Sequence, residues 1–436
     1  MSDSTIFNKG DEVSRRQFMI GAARNCLGVS VLPMLGSTIA TNDTFAAAPP
    51  MRRGAAKSVI FLNMAGGMSH LDTFDPKPDN ADVQGPTPVI DSNADNVRIS
   101  GYLPKTASVM KHVTLFRGMQ TNQGAHEQGQ YLLHRSYPMR GTIVHPALGA
   151  WVMRLSGRRN TTIPGFVSIG GSSENATGGF MGAKYGGVPL GSANDGLKDS
   201  KRAHSVSESD FNRRLQLADK MNSTFHGKFK QKQIKTYHGL YDEAIKLMTS
   251  EDLKAFDLNN EDLKVRDMYG QNGFGQGCLL ARRLVEHHVR FIEVTMGGWD
   301  THNDNFVSVE SRCQILDSAL AGLISDLERR GLLDSTLVAL GTEFGRTPEI
   351  NENTGRDHFP RAFTSLMAGG GVKGGFVYGE TDRKAHTVKE GVVTPGMFNA
   401  TIGHALGLPT ERVVTSPSGR PFTIGDEAKP VKEVFA

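Results

Sequence analysis

The sequence predicts an α/β fold with a mostly parallel central sheet, and three neighbouring features predict it. The stretch Thr336 to Pro360 opens on a short apolar run that is followed at once by Glu343, Arg346, Arg356, Asp357 and His358. Val289 to Met296 is a second apolar run, and it empties into "GGWDTHND", with Asp300 and His302. Between them Leu316, Leu320, Leu323 and Leu327 recur at helical spacing, with Gly331 as the expected C-cap. Apolar runs bounded by turn residues read as buried parallel strands, and open α/β sheets bind ligands just past the carboxyl ends of their strands. A strand, crossover helix and adjacent parallel strand would bring Asp300, His302 and Glu343 to one sheet edge. Carboxylates and imidazoles converging there suggest a metal site.

Composition limits the alternatives. At 436 residues the chain can bury a large core, and its net charge of +4 comes from dispersed basic residues, so nothing calls for nucleic acid. Cys26, Cys278 and Cys313 are the only cysteines and form no CxxC spacing, which excludes a disulfide framework and a Cys-rich zinc site.

The N-terminus carries "SRRQFM" (Ser14 to Met19), a moderately apolar stretch to about Ala40, and "FAAAPP" near Ala48. This resembles a twin-arginine export signal, expected to occupy residues 1–48 and to send a folded protein to the periplasm or cell exterior through the twin-arginine machinery. Arg24 and Asn25 interrupt the apolar stretch, so no permanent transmembrane anchor is expected.

From about residue 55 a single α/β domain is expected. Ser58 to Met64 reads as the first strand, and the loop after it offers His70, Asp72 and Asp75, with two glycines permitting close backbone approach. His70 and Asp72 are candidate metal ligands or ligand-orienting groups; an Asx-type turn beside a surface histidine is the alternative. Val113 to Gly118 is a strand leading into a helix from His126 to Arg135. Thr121 and His126, beside exposed helix N–H groups, are candidates for a nucleophile or a phosphate-type contact, or else simple helix-end residues. A helix from Pro146 to about Ser156 and a strand from Phe166 to Ile169 follow, and then the Gly-rich segment 170–196 reads as a long loop or lid. A charged helical insertion is expected over about 205–270, with Leu215, Ala218 and Met221 at helical spacing. Phe274 to His287 is a helix feeding the Val289 strand, with His288 where a C-cap glycine is usual. Ala362 to Ala368 is a strand, "GGGVKGG" a hairpin or strand connection into Phe376 to Gly379, and Pro395 to Leu406 a closing helix capped by Gly407.

The stretches "FLNMAGGMSHLDTFDPKP", "CLLARRLVEHHVRFIEVTMGGWDTHNDNF", "LGTEFGRTPEINENTGRDHFP" and "AGGGVKGGFVYGETD" resemble the domain-of-unknown-function 1501 family, whose members resemble the alkaline phosphatase and sulfatase superfamily. The resemblance implies an alkaline-phosphatase-like three-layer α/β/α fold. It places Glu343 where that superfamily has an Asp ligand, Phe344 where it has His or Asn, and His358 where a ligand His precedes a Pro by two positions; Asp300 and His302 are similar to ligands of an earlier loop. Asn63 and Gly66 stand where a first-strand Asp is usual. "AHEQG" stands in the place of the sulfatase Cys-x-Pro-x-Arg signature, so a formylglycine mechanism is not expected.

These readings together point to a secreted metal-dependent hydrolase of a phosphate, sulfate or related anionic ester. One or two divalent ions, zinc, manganese or iron before magnesium or calcium, would be held by Asp300, His302, Glu343 and His358 with help from Asp357, Asp72 or His70. Arg346 or Arg356 would clamp the developing charge. The alternative for the same residues is ordinary ion pairing, Glu343 with Arg346 and Asp357 with Arg356. The rival function is a non-catalytic protein binding a ligand, glycan or partner through an eroded site, and a structural metal site in a cell-surface assembly protein is a third.

Overall fold

The computed structural model describes residues 56–194 and 250–436, with 196–197, 206–214, 216–217 and 220 between them. The expected leader, and most of the expected helical insertion, lie outside the described residues. The chain divides into two units, one of residues 1–40 and 195–254 and one of 41–194 and 255–436; the second carries everything below.

Eight strands form its central sheet: β1 (Ser58–Met64), β2 (Val113–Met119), β3 (Phe166–Ile169), β4 (Val188–Leu190), β5 (Phe291–Met296), β6 (Thr336–Gly341), β7 (Phe363–Ala368) and β8 (Phe376–Tyr378), in the spatial order β8-β2-β7-β6-β1-β5-β3-β4. β4, β3, β5, β1 and β6 are parallel neighbours, and β2 and β8 are parallel to each other. β7 runs antiparallel to both β6 and β2. The sheet is therefore mostly parallel, as the apolar runs predict. Every residue of β1, β6 and β7 is buried, the mark of strands covered on both faces.

Six helices cover it: α1 (His126–Arg135), α2 (Leu148–Ser156), α3 (Leu263–Tyr269), α4 (Gly273–Glu286), α5 (Asn305–Arg329) and α6 (Pro395–Ala405). Val59 and Phe61 of β1 pack in one apolar cluster with Leu133 of α1, Trp151 of α2, and Phe398 and Ile402 of α6. Strand side chains alternate between faces, so Ile60 and Leu62, equally buried, face the other layer, where α4 packs against β1 and β5, and α5 packs on α3 and α4. The result is three layers, helix on sheet on helix. His288 takes the left-handed conformation (φ 64°) expected of a glycine past the end of α4, and Gly331 (φ 66°) does so past α5.

One local expectation is corrected, and others are narrowed. β5 and β6 are not adjacent, since β1 lies between them, but all three are parallel and their ends still share one edge. Of the two readings of the Gly-rich run after β7, the strand connection holds and the hairpin does not, because β8 crosses to the far side of β2 and pairs parallel with it. Residues 170–194, within the expected loop or lid, hold three short 3-10 turns and the edge strand β4, and Ala176, Tyr185 and Leu190, spaced among the glycines, are buried apolar anchors. At the end of the range expected for the insertion, α3 packs on α5 as part of the main unit. No helix among the described residues is long and apolar enough to cross a membrane.

Candidate metal centre

The ends of β5, β1 and β6 meet where Gly66, just past β1, has no side chain. A Cβ there would lie 2.6 Å from the Asp300 nitrogen and 2.8 Å from that of Trp299, and its φ of +122° already disfavours any other residue. The two strand-end loops can thus touch backbone to backbone. Arg346 ties them together, donating from Nε to Gly67 O (2.9 Å), from Nη1 to Arg356 O (3.0 Å) and from Nη2 to the Gly66 carbonyl and to Asp300 Oδ1 (2.6 Å).

Asp300 is the hub, and three imidazoles face it. His126 Nε2 lies 3.3 Å from Oδ2, while His302 Nε2 and His358 Nε2 lie 3.2 and 3.3 Å from Oδ1. Each ring is held from behind through Nδ1: His126 by Glu343 Oε1 (2.8 Å), His302 by Asp357 Oδ1 (2.6 Å), His358 by Gly124 O (2.8 Å). An oxygen that only accepts requires Nδ1 to carry a proton, so in the neutral imidazole it is the Nε2 lone pair that faces the centre. His302 and His358 then present two such nitrogens 2.9 Å apart, an arrangement that needs a proton or a cation. His126 Nε2 is buried without any hydrogen-bond partner, although Asp300 Oδ2 is near.

This donor set fits a metal ion. Ligand atoms of His126, Asp300 and His358 all lie within 4.8 Å of one another, and the closest imidazole–carboxylate pairs are near the roughly 3.3 Å separation set by a tetrahedral ion with bonds of about 2.0–2.1 Å. Imidazoles held from behind by carboxylate or carbonyl oxygen are the usual second layer of such a site.

Charge supports the same hub. Burial works to raise the Asp300 pKa, but Arg346 with its hydrogen bond and charge, and then His126, outweigh it and hold the carboxyl at about 2. The Glu343 hydrogen bond raises the His126 pKa against burial, with Asp300 adding to it. Burial lowers that of His358, and the hydrogen bond from His302 lowers that of Asp357.

The structure redistributes the sequence-predicted residues. Asp300, His302 and His358 converge as expected, and His126 joins them as a donor at the centre. Glu343 does not face the centre. Only 1% of its side chain is exposed, and its oxygens are occupied by Gly66 N (2.8 Å), His126 Nδ1 (2.8 Å), Gln130 Nε2 (2.8 Å) and the Thr342 hydroxyl (3.3 Å). Asp357 likewise orients His302. Arg346 and Arg356 are fully buried, so neither reaches a substrate as a clamp. Arg356 Nε pairs with Asp72 Oδ2 at 2.8 Å, and Asp72 is further satisfied by the hydroxyls of Ser69 (2.5 Å) and Thr87 (2.6 Å) and by Asn305 Nδ2 (3.0 Å). His70 is wholly buried with Nε2 on Ala385 O (3.2 Å). Asp72 and Arg356 thus form a buried structural pair under the first loop, and none of Asp72, His70 and Arg356 is brought to the Asp300 cluster. The hydroxyl of Thr121 accepts from Gln123 N (3.3 Å), as in a local turn.

Phe344 packs its ring on His126 and His358 at centroid distances of 5.0 and 4.6 Å. Sequence reasoning missed Gln130 and the Gly124 carbonyl. Gln130 could have been found, because it stands four residues after His126 on α1 and so on the same face; a backbone carbonyl leaves no sequence signal.

Several solved structures are similar to the chain. A lipoteichoic acid synthase from Listeria monocytogenes is 8% identical over 82% of this chain and 73% of its own, with a TM-score of 0.38. A sulfatase from Pseudoalteromonas sp. is 11% identical over 97% and 78%, with a TM-score of 0.40. The C-terminal periplasmic domain of EcEptC from Escherichia coli, in complex with Zn, is 8% identical over 89% and 99%, with a TM-score of 0.38. Among curated proteins none matches. Residues 56–435 match one family, and the chain is a member of that family, described as a protein of unknown function, DUF1501.

Proposed function

We propose that the protein is an exported metal-dependent hydrolase of a phosphate, sulfate or related anionic ester. The observation that carries the reading is the convergence of three Nε2 atoms on Asp300, each imidazole fixed from behind by an oxygen acceptor. His126, Asp300 and His358 would hold the ion, with His302 beside them. Nitrogen-rich, oxygen-supplemented donors suit zinc, iron or manganese better than magnesium or calcium, and two histidines with one carboxylate is also the ligand set of non-haem iron sites. Bound there, the ion would supply Lewis acidity toward an ester oxygen and toward water.

The protein's own groups prepare that site. Glu343, Asp357 and the Gly124 carbonyl hold the Nδ1 protons and so present unprotonated Nε2 atoms. Arg346 fixes the Asp300 carboxylate and keeps it ionised. Phe344 walls one side with an apolar ring, which favours a single ion over a pair. Asp300 is 48% and His302 40% exposed, so a substrate can approach from the solvent side. The twin-arginine leader supports export in the folded state.

A second reading, binding without turnover, is favoured by one observation: both candidate arginine clamps are buried. Protein matured through its own export route should carry about one equivalent of metal by elemental analysis and should cleave at least one of nitrophenyl phosphate, bis-nitrophenyl phosphate and nitrophenyl sulfate. Asp300→Ala and His126→Ala should abolish both properties. Bound metal with no turnover of any ester would establish the binding reading instead.

A further inference from the structure

A cavity of about 320 Å³ opens at the carboxyl ends of β3, β4 and β5, between the start of α4 and the first turns of α5. Its walls are largely apolar, with Ile169, Phe274, Met296 and Ile315, and Arg312 is its charged lining residue. Among the described residues Arg312 has no hydrogen-bond or ion-pair partner, whereas Arg282, Arg346 and Arg356 are each tied to a carboxylate. The side chain is half-buried. A partly desolvated guanidinium without a counter-ion is costly, and one facing a cavity of small-molecule size is placed to gain from an anion. Its planar fork matches carboxylate or sulfate through two parallel N–H bonds, a geometry that lysine cannot reproduce.

The cavity adjoins the metal centre through one loop. Gly297 lines it, and a Cβ on Gly298 would lie 2.7 Å from Arg312 Nε and 2.8 Å from Cζ, so the guanidinium rests against backbone two residues before Asp300. The guanidinium thus lies against the same short loop that carries Asp300. The lining also offers Ser192 and Thr295, neutral groups suited to hydroxyls on an uncharged ligand body.

We propose that this cavity is a recognition subsite for a small organic group carrying a carboxylate or sulfate, gripped by Arg312, so that the substrate bears an anionic group besides the ester to be cleaved. The link to a cleaved ester rests on the hydrolase reading; the anion subsite does not.

The test is equilibrium binding to the full mature protein by calorimetry and thermal unfolding, with glucuronate and glucose 6-sulfate as charged probes and glucose as the uncharged control. The charged probes should bind and raise the unfolding temperature while glucose does not. Arg312→Gln should weaken them by about tenfold or more, and Arg312→Lys by less, as expected when a charge-assisted pair is lost or only its bidentate geometry is lost. Asp300→Ala, which removes the hub of the metal centre, should bind them as the unaltered protein does. Charged probes binding no better than glucose would overturn the subsite. So would unchanged affinity in both Arg312 variants, each confirmed folded by circular dichroism, or loss of binding in Asp300→Ala alone. Arg312-dependent binding in a protein that turns over no ester would keep the subsite and overturn its link to a cleaved substrate.

Discussion

Because both Glu343 oxygens already accept from donors, Glu343→Gln would turn an amide N–H₂ toward groups that also donate, and His126 would lose its fixed orientation. Replacement of such an outer partner typically costs about 10–100-fold in metal affinity. A competition titration against a chelator should show that loss with the fold intact, and unchanged affinity would mean that His126 is not a ligand. Asp72 gives the opposite expectation. Asp72→Ala leaves the fully buried Arg356 without its carboxylate, and breaking a buried pair in this way costs about 3–5 kcal/mol. The urea midpoint should fall accordingly, while the metal content per folded chain stays the same. Sequence alone could not separate these acidic residues. Asp72, Asp300 and Glu343 all follow strands, and only burial and the direction of the donors around each decide which one holds structure, which orients and which faces a ligand.

At the scale of elements, the loop after β1 decides whether the two sides of the site meet. Gly66→Ala would push a methyl group into the backbone of Trp299 and Asp300 at a conformation costly for alanine, a loss of about 1–3 kcal/mol. Unfolding temperature and metal affinity should drop together, whereas Gly157→Ala, with φ of +70° but open space around it, should lower only the first. The strands themselves were legible in the sequence. Fully buried parallel strands are continuous apolar runs, so Ser58–Met64 stands out with both ends in place, and the strand opening at Thr336 with its start. Less legible was order: nothing in β5 or β6 announces that β1 slots between them, because that choice is made by long-range pairing. The Gly-rich stretch was less legible for a related reason, since its buried anchors Ala176, Tyr185 and Leu190 are too widely spaced to show a period.

Across the whole molecule, two buried imidazoles set an acid limit. Burial lowers the His70 pKa to about 4, and burial with the charges of Arg135 and Arg140 does the same for His145. Both folded values lie below the ordinary value of 6.5, so between pH 6.5 and 4 the unfolded chain binds more protons than the folded one. Their contribution is complete above about pH 6.5 and is lost as pH falls toward 4, on the order of 2–3 kcal/mol for each. Urea midpoints should therefore decline over that window, and His70→Gln should flatten the decline; a midpoint independent of pH there would show both rings to be solvated. The carboxylate and imidazole cluster itself was visible only in part. His302, His358 and Asp300 share the strand-end logic, but His126 arrives from a helix start more than 170 positions upstream, and no local pattern ties it to them.

That distance along the chain has a thermodynamic consequence. Donors drawn from the head of α1, the turn after β5 and the short strand bearing His358 are scattered in the denatured ensemble, so a cation would find its cage only after folding. Occupancy would then act as a clasp, raising the melting point with the logarithm of free ion concentration. Dialysis against a strong chelator should lower that melting point reversibly, and refilling with the right ion should restore it.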